Sequence, residues 1–233
     1  MRYIEKTAEP ACMTTWKQKR ESAKQKLVYD EFDKKRELND LLREEQHHIC
    51  CYCQQKLTHY QGSKIGGSHN EHLDPQNGEY GHDTHQMNYY NIYACCIDSQ
   101  GLKKKEKEKK HCGEFKGDDI IWGFIQKSDC VECFKYNVLG EIIPNGEYDK
   151  WEDYQINYSV LPIVQKDAVY TIQNLNLNCN YLKDDRKKEI TALLSILVTM
   201  SKEQVEQRIS TIESEQCYQR YIDLLLYYMK KKQ

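Results

Sequence analysis

Polar and apolar residues between positions 16 and 46 follow the period of an α-helix. The stretch has few helix breakers and is rich in Lys, Glu, Gln and Arg. Its apolar residues recur at helical spacing, at positions Leu27, Phe32, Leu38, Leu41 and Leu42. Such a stripe is typical of helices that pack one face on a core. We therefore predict one or two amphipathic helices that lead into a cysteine-containing segment beginning at Cys50.

The second half of the chain predicts a short hairpin and then helices. Apolar and polar residues alternate over residues 134–143, with Asn137 and Gly140 where a turn is expected. After Asn178 the spacing becomes helical, with apolar residues at Leu182, Ile190, Leu193, Leu194 and Leu197. The segment beyond residue 145 is thus predicted to be mainly helical.

A further helical stretch is predicted from Ser201 to Lys232. Ser201 is a favourable N-cap, and Gln204 stands at the position that completes a capping box. The apolar run at residues 224–228 is wider than one packed stripe needs. Exposed apolar surface of that width favours binding, so we predict that this region docks a partner.

Length and charge narrow the possible classes. The 233 residues suffice for one core with additions, and no apolar stretch is long enough to cross a bilayer. The first residues lack the pattern of a secretory signal, so we expect the protein in the cytoplasm. Its net charge of −2 predicts no strongly basic surface. A protein of this kind that acts on nucleic acid is expected to need a partner to hold it.

The cysteines indicate a metal frame. Eleven cysteines in a reducing compartment favour metal ligation over disulfides. Cys50 and Cys53 have the Cys-x-x-Cys spacing of a zinc knuckle, and Cys112 supplies a third thiolate. Spacing alone leaves Cys95 and Cys96 as alternatives for the fourth. Four thiolates select Zn²⁺ and form a structural site.

A second group of residues carries candidate catalytic chemistry. His72 follows Glu71 in a loop-rich region, and an imidazole that titrates near neutrality can accept a proton from water. Glu71 and Asn91 offer the hard oxygen ligands that suit catalytic Mg²⁺ or Mn²⁺. Lys116 has two interpretations. In the first it contacts a phosphate or the oxygen atoms around the metal, and in the second it is an exposed lysine on a helix. The run 103–110 is predicted to be a solvated, charged loop.

These residues resemble the HNH nucleases, and more closely the PtuB-like nuclease subunits of Septu anti-phage defence systems, including those attached to retrons. The similarity begins at Met1-Arg2-Tyr3-Ile4 and rests mainly on four strings: Cys50–Cys53, Glu71-His72-Leu73-Asp74-Pro75, Tyr90-Asn91 and Cys112–Lys116. It also includes Leu175-Asn176-Leu177-Asn178 with Arg186, so it covers most of the chain.

The resemblance implies His72 as the general base and Asn91 as the motif asparagine. It favours Cys96 over Cys95, which gives the zinc ligands Cys50, Cys53, Cys96 and Cys112. One departure is Lys116, which stands where the motif has a histidine. The candidates to replace that histidine are His69, His82, His85 and His111.

The resemblance also implies an α+β fold: a zinc-stabilised ββα-metal core over residues 46–145, an N-terminal helical segment at 1–45 and a C-terminal helical region at 146–233. It implies an endonuclease effector with an ABC/SMC-like, PtuA-like ATPase as partner. In retron systems the partners include a reverse transcriptase and its RNA–DNA hybrid. The alternative is a non-catalytic zinc-binding adaptor that bridges the ATPase to nucleic acid.

Overall fold

Two helices precede the cysteine segment, as predicted. The computed structural model describes residues 1–58, 67–76, 81, 85–97 and 110–232. Helix α1 spans Ala11–Ser22, and α2 spans Lys35–Glu45. A 3₁₀ turn at Tyr29–Glu31 lies between them. Leu38 and Leu42 of α2 are fully buried, whereas Leu41 is partly exposed, so the packed stripe is narrower than the sequence indicated.

The centre of the chain forms a two-stranded sheet followed by one helical turn. β1 (Ser68–His72) pairs antiparallel with β2 (Ile92–Cys96), with His72 opposite Ile92 and His69 opposite Cys95. The four-residue helix α3 (Gly113–Lys116) follows. The protein therefore combines helices with small sheets, which agrees with an α+β class and is consistent with an HNH-like fold.

The predicted hairpin is confirmed, but the helices after it differ from the prediction. β3 (Phe134–Tyr136) pairs antiparallel with β4 (Ile142–Pro144). Two helices follow, α4 at Trp151–Ile156 and α5 at Ile163–Asn174, in a region predicted to be mainly helical but without bounds for either helix. Valine, isoleucine and threonine are frequent in α5, and these β-branched residues are weak helix formers. The helix propensity of the segment is therefore too low to indicate α5 from the sequence.

The last part of the chain contains α6 (Asn180–Leu197), α7 (Lys202–Glu213) and α8 (Ile222–Lys232). The predicted capping box starts α7: Gln204 N donates to Ser201 Oγ, and Ser201 N donates to Gln204 Oε1. The single stretch predicted to Lys232 is divided because the α7–α8 connection is tied to the knuckle. Tyr218 N donates to His47 O, and Tyr221 N donates to Gln54 O.

The predicted docking role of the apolar run in α8 is not supported by its burial. Leu224, Leu225 and Leu226 are buried, and Tyr227 and Tyr228 are partly buried. The run is wide because α8 packs against α6, α7 and β3 on different sides. These side chains are core residues of this chain and do not present an exposed apolar face.

One hydrophobic core crosses the three predicted segments. It includes Met13 of α1, Tyr93 of β2, Leu182 of α6 and Leu224 of α8. Side chains of the N-terminal helices, the central sheet and the C-terminal helices therefore share one core, and α2 packs directly on β1 and β2. No helix in the described ranges has both the length and the apolarity to span a membrane.

A buried ion pair fastens the segment before α1 to the end of α2, and a hydrogen bond from the same lysine fastens it to β2. Lys6 Nζ lies 3.0 Å from Glu45 Oε2 and donates to Ile92 O at 2.6 Å. The same ammonium sits over the rings of Tyr89 and Tyr93. Burial lowers the pKa of Lys6 to about 8, while Glu45 opposes that shift. The pair is thus enclosed at the base of the strand that carries the cysteines.

We expect Lys6→Met to lower the free energy of unfolding by about 3–5 kcal/mol, because it leaves the Glu45 carboxylate buried without its cation. Urea denaturation measures the effect. The matched double variant Lys6→Met/Glu45→Gln removes both charges and should recover most of the loss. Equal destabilisation in the single and double variants would contradict the ion-pair explanation.

Candidate active site and metal centre

The knuckle is a tight turn docked on β2. Cys50 N donates to Gln55 O, and Gln54, which has a positive φ of 64°, donates from its N to Cys50 O. Cys51 N donates to Ala94 O in β2. The buried Gln46 side chain also bridges to Ala94, donating to its O and accepting from its N. These contacts hold the turn against the strand that supplies Cys95 and Cys96.

A buried cluster of thiols lies between this turn, the end of β2 and the start of α3. Two groups of four donors are close enough to hold a metal ion, with their ligand atoms within 4.8 Å of one another. The first contains Cys50, Cys95, Cys96 and Cys112, and the second contains Cys53, Cys96, His111 and Cys112. All these residues are buried.

The donor set fits zinc. Thiolates and an imidazole are the preferred Zn²⁺ ligands, and a tetrahedral site with Zn–S bonds of about 2.3 Å separates its sulfurs by about 3.8 Å. The Sγ atoms of Cys50 and Cys95 are 3.8 Å apart, and those of Cys53 and Cys96 are 3.7 Å apart. The four predicted ligands all belong to the cluster. However, Cys95 joins it beside Cys96, and His111 was not predicted as a zinc ligand.

Glu71 of β1 and Lys116 of α3 form a buried ion pair. Lys116 Nζ lies 3.3 Å from Glu71 Oε1, and His69 Nε2 lies 3.3 Å from Glu71 Oε2. Tyr52 OH donates to Glu71 Oε1 at 3.4 Å. Burial opposes the charge on Glu71, but His69 and Lys116 together hold the pKa of this carboxyl below its usual range. Lys116 is 2% exposed, so its interpretation as a surface lysine is wrong.

His72 lies on the other face of β1, because consecutive strand residues alternate. Its Nε2 is 2.9 Å from Gln86 O, and its Nδ1 is 2.9 Å from Gln76 Nε2. A carbonyl oxygen only accepts, so Nε2 carries the proton and Nδ1 is the basic nitrogen. The ring packs edge-on against Tyr29. Burial lowers the pKa of His72, which favours the neutral base.

Asn91 fixes the start of the loop that follows β1. Its Oδ1 accepts from Asp74 N at 2.7 Å, and its Nδ2 donates to Asp74 O and His85 O. The side chains of these two residues form a half-exposed pair, with His85 Nδ1 3.0 Å from Asp74 Oδ2. Asn91 therefore positions an acid–histidine pair at the surface next to the strand end that carries His72.

The two predicted Mg²⁺ ligands, Glu71 and Asn91, have separate hydrogen-bond partners in this structure. Within the part of the chain that the structure describes, no hydrogen bond joins the Asn91 amide to Glu71 or His72. The Glu71 carboxylate pairs with the side chains of Lys116 and His69. The Asn91 amide is hydrogen-bonded to the backbone. A magnesium ion shared by Glu71 and Asn91 stays a prediction, and its binding would have to compete with these partners.

The histidines considered as substitutes for the missing motif histidine occupy different places. His69 pairs with Glu71, His85 with Asp74, and His111 belongs to the thiol cluster. His82 and the charged loop at 103–109 lie outside the described residues. Side chains alternate between the two faces of β1, so His69 and Glu71 lie on the same face. The sequence was therefore sufficient to predict that these two side chains are neighbours. No pattern in the sequence indicated that Gln76 and Gln86 hydrogen-bond to the ring nitrogens of His72.

Glycine at position 113 makes room for the Glu71 carboxylate. A methyl group there would overlap that carboxylate and lie 3.1 Å from His69 Nε2. We expect Gly113→Ala to lower the free energy of unfolding by about 1–3 kcal/mol, since overpacking displaces a buried, paired group. Chemical denaturation measures it. The control is Gly123→Ala, whose methyl meets chiefly the end of the Gln126 side chain. Equal stability of the two variants would refute the steric argument.

The fold and the site together describe an α+β protein with a buried thiol centre beside a Glu–His strand. No protein-family profile matches the chain. A protein of Vibrio cholerae serotype O1 biovar El Tor, named "Retron Vc95 putative HNH endonuclease", is 26% identical over 163 residues. The match covers 70% of this chain and 68% of the relative. This similarity supports the HNH endonuclease family and a nuclease enzyme.

Proposed function

We propose that the chain is an HNH endonuclease that hydrolyses phosphodiester bonds with His72 as the general base. The observation that carries this proposal is the orientation of the imidazole. The Gln86 carbonyl fixes the proton on Nε2, so Nδ1 can accept a proton from an attacking water. The similarity to a retron HNH protein supports the same reaction class.

The surrounding residues position this base. The buried Glu71–Lys116 pair ties β1 to α3, and Lys116 Nζ also donates to His72 O at 3.1 Å. Asn91 braces the loop that carries Asp74. Gln76 Nε2 covers His72 Nδ1, so water reaches the base when that carboxamide turns aside. We assign Glu71, Lys116 and Asn91 as positioning residues.

The proposal includes zinc in the thiol cluster and a requirement for Mg²⁺ or Mn²⁺. Zinc would be held by thiolates from the set Cys50, Cys53, Cys95, Cys96 and Cys112, and it would supply folding free energy. A bound divalent ion at a phosphodiesterase site stabilises the charge on the phosphate. Among the described residues, the half-exposed Asp74 carboxylate, two positions after His72, offers an accessible oxygen ligand.

We further propose that the enzyme is the effector of a cytoplasmic anti-phage defence complex. The PtuB-like resemblance suggests an ABC/SMC-like ATPase as partner and, in retron versions, a reverse transcriptase with its RNA–DNA hybrid. The name of the Vibrio cholerae relative supports a retron context. A net charge of −2 is consistent with a nuclease that relies on a partner to hold nucleic acid.

The experiment is a cleavage assay with the full chain, alone and co-expressed with the neighbouring genes. Supercoiled plasmid, single-stranded DNA and tRNA are each incubated with Mg²⁺, Mn²⁺ or EDTA. We expect cleavage that requires a divalent ion. Absence of cleavage in every combination, with zinc bound and the fold intact, would contradict the enzyme.

A non-catalytic adaptor is the second candidate. The observation in its favour is the enclosure of His72, which is 4% exposed and has both ring nitrogens paired. An adaptor would bind zinc and its partners and would not cut any substrate. The same assay separates the two functions.

A further inference from the structure

The thiol cluster contains more donors than one zinc ion can use. A knuckle that holds one ion brings both cysteines of its Cys-x-x-Cys pair to that ion. Here the thiols of Cys50 and Cys53 contact each other, but each completes a different group of four donors. The two groups have Cys96 and Cys112 in common, so six residues supply two sets of four donors.

We propose that this centre binds two zinc ions bridged by the thiolates of Cys96 and Cys112. The first ion takes Cys50 and Cys95 as its terminal ligands. The second takes Cys53 and His111 Nδ1. Bridging lets six residues provide four ligands to each ion. The inference rests on the zinc site of the proposed function and does not depend on cleavage.

The distances agree with this division. Cys50 Sγ lies 3.8 Å from Cys95 Sγ and 3.9 Å from the bridging Cys112 Sγ. On the other side, Cys53 Sγ lies 3.7 Å from the bridging Cys96 Sγ, and His111 Nδ1 lies 3.8 Å from it. These separations are close to the edge of a zinc tetrahedron, which is about 3.8 Å for two sulfurs.

Charge also favours two ions in this buried place. Two dications with five thiolates and a neutral imidazole leave one negative charge uncompensated, whereas one dication with four thiolates leaves two. Burying net charge is costly, and the cluster residues are all enclosed. The backbone helps as well, because Cys96 N donates to Cys50 Sγ at 3.4 Å.

Metal content of the purified full chain tests the stoichiometry. We expect two zinc ions per chain by elemental analysis against an amino-acid-based protein concentration. One ion per chain would overturn the bridged centre and leave a mononuclear zinc site in place. No bound zinc would overturn the zinc site of the proposed function as well.

Variants identify which ligands are used. His111→Ala should reduce the count from two ions to one, because the second ion loses a terminal ligand. A mononuclear site built from Cys50, Cys53, Cys96 and Cys112 predicts no change. Cys217→Ser is the control, since Cys217 is exposed and lies outside the cluster, and it should retain two ions. An unchanged count in His111→Ala would overturn the assignment.

A measurement on the unaltered chain covers the case in which variants fail to fold. After replacement of zinc by ¹¹³Cd, we expect two cadmium resonances with scalar coupling between them, since coupling passes through a bridging sulfur. A single resonance, or two without coupling, would overturn the bridged arrangement.

Discussion

Replacing His72 with alanine or glutamine is expected to reduce the cleavage rate by about 10²–10⁴-fold, the usual contribution of a general base. Glutamine is the more informative substitution. Its amide can still donate a hydrogen bond to the Gln86 carbonyl, but it has no basic nitrogen to accept a proton. Both variants should keep the zinc content of the parent, since His72 lies outside the thiol cluster. Initial rates on the substrate cut by the wild type measure the effect.

Gln76→Ala provides the matched control for this prediction. It removes the amide that caps Nδ1 and leaves the base in place. We expect cleavage to be retained in Gln76→Ala and lost in His72→Gln. Cleavage by His72→Gln at the parental rate would show that another group accepts the proton, and the half-exposed His85 beside Asp74 would then be the next residue to test.

Removal of zinc is expected to unfold the centre of the protein. Structural zinc sites in small modules have apparent binding free energies of about 10–16 kcal/mol, which matches or exceeds the whole stability of a typical domain, about 5–15 kcal/mol. The cluster joins the knuckle turn, β2 and α3, and α3 has only four residues to hold it by itself. Chelation should therefore release β2 from its neighbours.

Hydrogen exchange measures this loss. The amides of Tyr93 and Cys95, which lie in the β1–β2 ladder, should lose protection after chelation and regain it when zinc is restored. Cys112→Ser should behave like the chelated protein. Cys12→Ser, in α1 and outside the cluster, should behave like the parent. Full protection in a chain shown to be free of metal would contradict a structural role for zinc.

The elements that the sequence predicted correctly are those with local signals. The capping box at Ser201 and the alternation around Gly140 depend on residues a few positions apart, and the structure contains both. The cysteine spacing likewise indicated a metal frame near Cys50. Local chemistry is sufficient when the partners of a residue lie in the same turn.

The incorrect or missing predictions depend on distant partners. The apolar run in α8 suggested a docking face, but α6, α7 and β3 cover it. The spacing of Cys95, Cys96 and His111 could not show that all three reach one cluster. The sequence also could not show that the Asn91 amide hydrogen-bonds to the backbone of Asp74 and His85. Only tertiary packing determines these contacts.

Cleavage of nucleic acid by this chain is proposed to depend on His72. Sequencing of nucleic-acid ends tests it most directly, in cells that express the chain with its neighbouring genes and carry either the wild-type or the His72→Gln protein at equal abundance. We expect new DNA or RNA ends in the wild-type cells that are absent from the His72→Gln cells. The same ends at the same frequency in both would contradict it.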